Sequence, residues 1–256
     1  MQKLAANSDY TTLWKAVDSL EQQGLYKTAL EQAETIHAKA KAENNSPQSI
    51  KSLIFMGKYT AMLEEDGLVK AVQSFEKEAE TAAQPEKSVL QSMLAELYST
   101  YLQNQGWNIG NRTPIPNGEG GDLLTWSAAQ IETRALNLYS ASIEAEVLLK
   151  STPMEALATI TSPGSGDTAT APLRPTLYDL LAHRALDHFS NERSFLTEPA
   201  YKFYIDKENA FAPAPDFVTQ KFDSADKTSG KWRRSESVGE LISLSSYAWL
   251  HSLCFR

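Results

Sequence analysis

Residues 85–102, PEKSVLQSMLAELYSTYL, decide the fold of this chain. Pro85 suits the first position of a helix, where its missing N–H would have no partner anyway. After it, apolar residues recur at every third or fourth position, which is the spacing of an α-helix. They are Val89, Leu90, Met93, Leu94, Leu97, Tyr98 and Tyr101. A set this dense predicts a helix that other helices contact on two sides.

The same features occur earlier in the chain, so this segment belongs to a repeat. The first set, Pro47, Ile54, Tyr59 and Leu63, recurs as Pro85, Met93, Tyr98 and Leu102. A second set, Gly24, Leu25, Lys27 and Ile36, recurs as Gly67, Leu68, Lys70 and Ala79. A period of roughly 39 to 43 residues is typical of stacked helical hairpins. We therefore predict an all-α fold of antiparallel helical hairpins, stacked in a tetratricopeptide-like array, an alpha-alpha superhelix.

Start and stop signals place further helices around this segment. One helix is expected from about Leu25 to Glu43, and Ser46 is expected to cap the next one, which Pro47 begins. Farther along, Ser127 and Gln130 form a capping box that predicts a helix through about residue 149. That helix would bury its apolar side chains, Ile131, Leu138, Ile143 and Val147.

Two more helices are expected in the second half. Thr152, Pro153 and Glu155 read as a capping box before a short helical segment over 154–160. Thr176 and Asp179 begin a longer helix over 177–189, whose apolar side chains share one side.

Composition divides the chain into six segments. Seven glycines and prolines between Gln105 and Gly121 predict a loop there and exclude a helix. Glycine, serine, threonine and alanine dominate 161–172, which predicts a flexible linker. The segments are a helical-hairpin half at 1–104, the loop at 105–121, further helices at 122–160, the linker at 161–172, a C-terminal helical part at 173–230 and an atypical tail at 231–256.

Charge and composition exclude several classes of function. A net charge of -8 argues against binding to nucleic acid or to an anionic membrane surface, because both need a basic stripe. No stretch approaches the ~20 apolar residues that span a bilayer. The single cysteine, Cys254, excludes an internal disulfide and a thiolate metal site. Met1 to Tyr10 lack a signal peptide, so the written sequence taken alone predicts a cytoplasmic protein.

A possible metal site is the strongest chemical signal in the chain. Asp179, His183 and Asp187 are four residues apart and share one side of a predicted helix, where they could surround one metal ion. A solvated helix face with two aspartates around a histidine is the commoner arrangement, and we favour it. His37 is expected at a surface or boundary, without a partner. We expect no catalytic residue and no cofactor.

A partner surface is expected near the glycine-rich loop. The candidate residues are Trp107, Ile109 and Arg112. In the alternative interpretation, Trp107 and Ile109 pin the loop to the neighbouring helices and bind no partner.

Three passages resemble a known family. They are LWKAVDSLEQQGLYKTALE from Leu13, SMLAELYSTYLQNQGWNIGNRT from Ser92 and LRPTLYDLLAHRALDHF from Leu173. Together they resemble the N-terminal helical region of the alpha-2-macroglobulin-like proteins of Bacteroidetes. The resemblance implies secretion to the periplasm or outer membrane, and protease-trapping macroglobulin domains farther along a longer polypeptide. Those domains and their thioester are missing from these residues, so no catalytic residue carries over.

The tail departs from that resemblance. After Gly230 another amphipathic helix is expected, but the chain continues WRRSESVGELISLSSYAWLHSLCFR. One choice of codons, read one base later, would encode a better amphipathic helix. We therefore hypothesise a frameshift, with residues after about Lys231 non-native.

These observations predict a non-catalytic interaction module. Its partner would be a protein or peptide, including the remaining domains of a longer polypeptide. The first alternative is a free-standing, tetratricopeptide-like adaptor. The second is a metal-dependent enzyme centred on His183.

Overall fold

The structure, a computed structural model, describes residues 9–109, 112, 122–161 and 175–190, without the side chains of 106–108. Over these residues the chain is helical, and the all-α prediction is confirmed. The α-helices are α1 (Tyr10–Gln22), α2 (Tyr26–Ala42), α3 (Ser46–Leu63), α4 (Gly67–Thr81), α5 (Glu86–Ile109), α6 (Ala128–Ser142), α7 (Glu146–Ser151) and α8 (Leu177–Ser190). Most of the predicted loop and linker, and the tail with its proposed frameshift, lie outside the described residues.

Helices α1 to α6 stack as antiparallel hairpins, since each contacts the next along the chain. Side chains also join every second helix. Trp14 of α1 contacts Phe55 of α3, and Ser46 of α3 donates a hydrogen bond to Glu86 of α5. Salt bridges join α2 to α4 and α4 to α6. The odd and even helices therefore form two layers, as in a helical repeat array, while the closer likeness to tetratricopeptide repeats stays a prediction.

Glycine and asparagine make the tight turns between the helices. Gly24 ends the first hairpin turn with φ at +72°, a backbone conformation that L side chains rarely adopt. Gly67 begins α4 so close to α3 that an added Cβ would lie 2.2 Å from the carbonyl oxygen of Thr60. The cap of α3 differs from the prediction by one residue. Asn45, not Ser46, is the N-cap, and its side chain accepts a hydrogen bond from the backbone N–H of Gln48.

Helix α5 lies in the middle of the structure, as its dense apolar sequence predicts. It contacts α3, α4, α6 and α8. Its buried side chains join a large core that runs from α3 to α8, with Leu90, Leu94, Ile109, Ile131, Leu149 and Leu177 among its fully buried members. A second, smaller core under α1 contains Leu13, Trp14, Val17, Ala29, Ile36 and Tyr59.

Three of the buried tyrosines connect neighbouring helices in the same way. Tyr59 donates its hydroxyl proton to Glu21 at 2.8 Å, Tyr98 to Glu76 at 2.7 Å and Tyr139 to Glu96 at 2.7 Å. In each pair the ring is buried and the carboxylate lies nearer to solvent. Burial, followed by the bond to a carboxylate, raises the pKa of all three hydroxyls.

The predicted helix from Ser127 to about Leu149 is wrong in its second half. The capping box of Ser127 and Gln130 forms, but α6 ends at Ser142 and a separate helix, α7, begins at Glu146. Ser140 and Ser142 donate side-chain hydrogen bonds to carbonyls of the last turn, a competition that favours helix ends. Because the apolar pattern was counted across this break, Val147 was expected to be buried and is 86% exposed.

Two other boundaries also differ from the prediction. The expected capping box at Thr152 is absent, because the Thr152 hydroxyl donates backwards to the carbonyl of Leu148. A 3-10 turn, Met154–Leu157, replaces the short helical segment. Helix α5 continues to Ile109, five residues into the predicted loop, and the full burial of Ile109 in the large core stabilises that last turn despite Gly106.

Removing a central side chain tests the stack. Leu94→Ala is expected to lower the free energy of unfolding by about 2–5 kcal/mol, because it opens a cavity beside several helices. Urea denaturation followed by circular dichroism measures the change. Leu148→Ala is the matched control, since Leu148 is 42% exposed, and it should change the free energy by less than about 0.5 kcal/mol. Equal effects of the two substitutions would contradict the central position of α5.

Candidate functional site

The structure does not gather the three predicted metal ligands into a site. Asp179 is buried, and one of its carboxylate oxygens accepts hydrogen bonds from the backbone N–H of Thr176 at 2.9 Å and from its hydroxyl at 2.7 Å. The ring of His183 instead approaches the backbone carbonyl of Asp179, at 2.6 Å. Asp187 is exposed farther along α8. In the described ranges, no group of three or more His, Cys, Asp or Glu could hold a metal ion.

Asp179 has a structural role instead. It forms a capping box with Thr176 at the predicted start of α8, where its carboxylate satisfies N–H and O–H groups of Thr176. The interpretation of this helix side as a solvated face is therefore right for Asp187 and wrong for Asp179, which is buried.

The predicted partner residues near the loop are used inside the fold where the structure describes them. Ile109 is fully buried in the large core. Arg112 donates hydrogen bonds from its Nη1 atom to the backbone carbonyls of Leu124 at 2.5 Å and of Trp126 at 3.4 Å. The side chain of Trp107 is outside the described residues. Ile109 and Arg112 therefore have roles within the fold, and the partner surface near the loop stays a prediction.

A serine, a histidine and a glutamate meet between α5, α6 and α8. The Oγ atom of Ser99 lies 3.4 Å from Nδ1 of His188, whose Nε2 atom lies 3.7 Å from a carboxylate oxygen of Glu132. Sequence reasoning missed this cluster because its members lie on three helices, and Ser99 and His188 are 89 positions apart in the sequence. The residue types are those of a hydrolase triad, so the geometry must decide.

The geometry of this cluster indicates a structural role. The Ser99 hydroxyl donates its proton to the backbone carbonyl of Ala95 at 3.0 Å, so His188 cannot take that proton as a base and donates to Ser99 instead. Ser99 also lies inside α5, whose backbone N–H groups are bonded within the helix and cannot form an oxyanion hole. The ring of His188 packs 4.6 Å from that of Tyr139, centroid to centroid. The cluster therefore fastens α8 to the α5–α6 hairpin.

His37 also has partners that its sequence context does not reveal. Its Nε2 atom lies 3.2 Å from Glu78 of α4, and its Nδ1 atom lies 3.0 Å from the hydroxyl oxygen of Ser52 of α3. His37 lies at the boundary, as expected, but it has partners on two other helices. Lys41 also bonds Glu78, at 2.8 Å. Burial pushes the pKa of Glu78 up, but hydrogen bonds from Lys41 and His37 hold this pKa below its usual range.

The best candidate for a binding site is one exposed side of α3 and the part of α1 beside it. Lys51, Phe55, Lys58 and Met62 are spaced by three or four residues, so they form a single row along α3. Met62 is 51% exposed, and Phe55 is partly exposed. Trp14 of α1 packs 4.9 Å from Phe55, centroid to centroid, and donates its indole N–H to Gln48 at 2.7 Å. We call Lys51, Phe55, Lys58 and Met62, with the buried Trp14 beside them, the α1–α3 face.

The two lysines of this face differ in their partners. Lys58 forms a salt bridge to Glu21 at 2.5 Å, and the pKa of Glu21 is lowered by hydrogen bonds from Lys58 and Tyr59. Lys51 places its Nζ atom 4.3 Å from the centroid of the Trp14 ring and has no carboxylate partner among the described residues. Burial lowers the pKa of Lys51, and the charge of Asp18 opposes this shift. The face therefore combines apolar rings with one ammonium group that lacks a salt bridge.

Sequence reasoning missed the α1–α3 face because its parts lie on two helices that are distant in the sequence. A usable signal was present: Lys51 and Lys58 are the only charged residues of α3, and they lie two turns apart on one side of it. None of the helices in the described segments combines the length and the apolar character needed to cross a membrane.

Comparisons of the chain with protein-family models, with curated proteins and with solved structures found no match. The resemblance to alpha-2-macroglobulin-like proteins therefore stays a prediction that depends on the three quoted passages.

The charged contacts of Glu78 predict a dependence of stability on pH. Because the pKa of Glu78 is lowered in the folded state, its ionised form stabilises the fold above the ordinary glutamate pKa of ~4.3, and this contribution is lost as the pH falls through the lowered value. Glu78→Gln should reduce stability at pH 7 and flatten its decline below about pH 4.3. Urea denaturation from pH 7 to pH 3 measures both effects. The exposed Glu80→Gln is the control, and an equal change in that variant would contradict the assignment.

Proposed function

We propose that this chain is a non-catalytic helical module that binds a protein or peptide on the α1–α3 face. The observation that carries the proposal is the row of Lys51, Phe55, Lys58 and Met62 on α3, next to Trp14. Aromatic and Met side chains in one patch are typical of protein-binding surfaces, whereas a solvated helix face is usually polar throughout.

The packing beneath the face supports this role. Tyr59 is fully buried under α1 and α3, where it bonds Glu21, and Val17 is fully buried beside it in the smaller core. The bond from Trp14 to Gln48 fixes the indole ring across the two helices. A surface that is already held in place loses little conformational entropy when a partner binds, which favours affinity.

The identity of the partner separates two forms of this proposal. In the first, the chain is the N-terminal region of an envelope protein that resembles the alpha-2-macroglobulins, and the α1–α3 face contacts the remaining domains of that polypeptide. The support for this form is the resemblance of the three passages near Leu13, Ser92 and Leu173. In the second, the chain is a free-standing adaptor. Macroglobulin coding sequence directly downstream of the gene would favour the first form.

Photo-crosslinking tests the binding role in the native host. With p-benzoylphenylalanine at position 55, we expect a covalent adduct with a defined partner, because Phe55 lies at the centre of the row. The same group at position 147, an exposed site on α7, should give no such adduct. The partner is identified by mass spectrometry and then expressed in pure form.

Affinity for that purified partner gives the quantitative test. Phe55→Ala should weaken binding by about tenfold or more, because central aromatic side chains carry much of the free energy of an interface. Calorimetry measures the change, and an unaltered circular dichroism spectrum shows that the variant is folded. The absence of an adduct at position 55, or an unchanged affinity of Phe55→Ala, would contradict the proposal.

A further inference from the structure

We propose that the α1–α3 face recognises a carboxylate side chain of an acidic peptide segment, which pairs with Lys51 while a neighbouring apolar side chain of the segment packs on Phe55 and Met62. This inference rests on the proposed function and adds the chemical class of the partner. The argument begins with the environment of Lys51.

Lys15, Lys27, Lys77 and Lys87 also lack a salt bridge among the described residues, and Lys51 is set apart by the aromatic rings beside its unpaired charge. Salt bridges neutralise Lys39, Lys41, Lys58, Lys70 and Lys150, each with a glutamate of the described chain. Lys51 is partly buried, yet its neighbours at the Nζ atom are the rings of Trp14 at 4.3 Å and Phe55 at 5.9 Å. Ring faces attract a cation but carry no net charge. The positive charge of Lys51 is therefore partly desolvated without a compensating anion, an arrangement that an incoming carboxylate would complete.

The two acidic residues near Lys51 do not form a salt bridge with it. Glu21 accepts hydrogen bonds from Lys58 and Tyr59, so both of its carboxylate oxygens are occupied. The charge of Asp18 acts on Lys51, but the two residues do not form a salt bridge in the described chain. A ligand carboxylate can therefore approach Nζ of Lys51 without displacing an existing pair.

The shape of the row favours a side chain over a chain terminus as the source of the carboxylate. From Lys51 to Met62 the row extends about 16 Å along α3, at 1.5 Å per residue. Its apolar members lie on the C-terminal side of Lys51, and Met62 at the far end is half exposed. A peptide that follows this row needs a carboxylate beside Lys51 and apolar side chains beyond it, so the chain must continue past the carboxylate.

Synthetic peptides test this inference directly. The probe is the acetylated and amidated peptide Gly-Glu-Glu-Leu-Glu-Glu-Leu-Gly, and its control has glutamine in place of every glutamate. Blocked termini restrict the negative charge to the side chains. A third peptide, the glutamine version with a free C-terminal carboxylate, separates the two sources of a carboxylate. Titrations are followed by the NMR signal of the Trp14 indole N–H, which Trp14→Phe assigns.

We expect the glutamate peptide to shift the Trp14 signal and the glutamine peptide to leave it unchanged. Lys51→Gln should weaken binding of the glutamate peptide by about fivefold, as expected for the loss of one exposed ion pair, and Lys51→Arg should largely restore it. Lys77→Gln is the matched control, because Lys77 is exposed on α4, away from the face. Higher salt should weaken binding, since the attraction is electrostatic.

Several outcomes would overturn the inference. The first is that the glutamate peptide does not shift the Trp14 signal, and the second is that the Lys51 and Lys77 variants lose equal affinity for this peptide. The third is that only the peptide with the free C-terminal carboxylate binds. The fourth is that the Trp14 signal shifts because the chain associates with itself in the absence of peptide. A photo-crosslinked partner at position 55 whose binding is unchanged by Lys51→Gln would remove this inference and leave the proposed function standing. Absence of any adduct at position 55 would remove the proposed function itself.

Discussion

The burial of α5 on several sides is the constraint on which the rest of the structure depends. The apolar side chains of α5 lie on more than one side of the helix, and α3, α4, α6 and α8 cover them. The polar groups of α5 then need partners within the core. Ser88 bonds the side chain of Gln84, Ser92 accepts a hydrogen bond from Arg184, and Ser99 bonds the carbonyl of Ala95. Central packing and polar pairing together fix the positions of the neighbouring helices.

The tyrosine–glutamate pairs show how the stack combines a dry core with an acidic surface. Each ring fills space between helices, while its hydroxyl reaches a carboxylate near solvent, so no buried charge is required. Tyr59 and Tyr98 are equivalent positions of the repeat, and Tyr139 continues the series on α6. Glu21, the partner of Tyr59, also pairs with Lys58, which connects this buried bond to the α1–α3 face.

Local sequence patterns predicted the helices well wherever a single period applied. The apolar spacing of 85–102, the capping box at Ser127 and the helix start at Thr176 are short-range features, and they appear in the structure as expected. The end of α6 was missed because apolar spacing continues across a break that serine hydroxyls favour. The Ser99–His188–Glu132 cluster and the α1–α3 face could not be read from the sequence, because each depends on the register between separate helices. The metal hypothesis treated residues on one side of α8 as neighbours, although Asp179 caps the helix instead.

The division of the core into two clusters has a consequence for dynamics. Helix α1 is held mainly by the small cluster of Leu13, Trp14 and Val17, whereas α3 is also anchored in the large one through Ile50 and Leu53. Because the cluster that holds α1 is small, α1 can open locally while the remaining helices stay folded. Amide hydrogen exchange should therefore be faster in α1 than in α5. A ligand that contacts both α1 and α3 would reduce the fraction of molecules in which α1 is open, because it binds only the closed form. Ligand binding and the closing of α1 would then be one linked equilibrium.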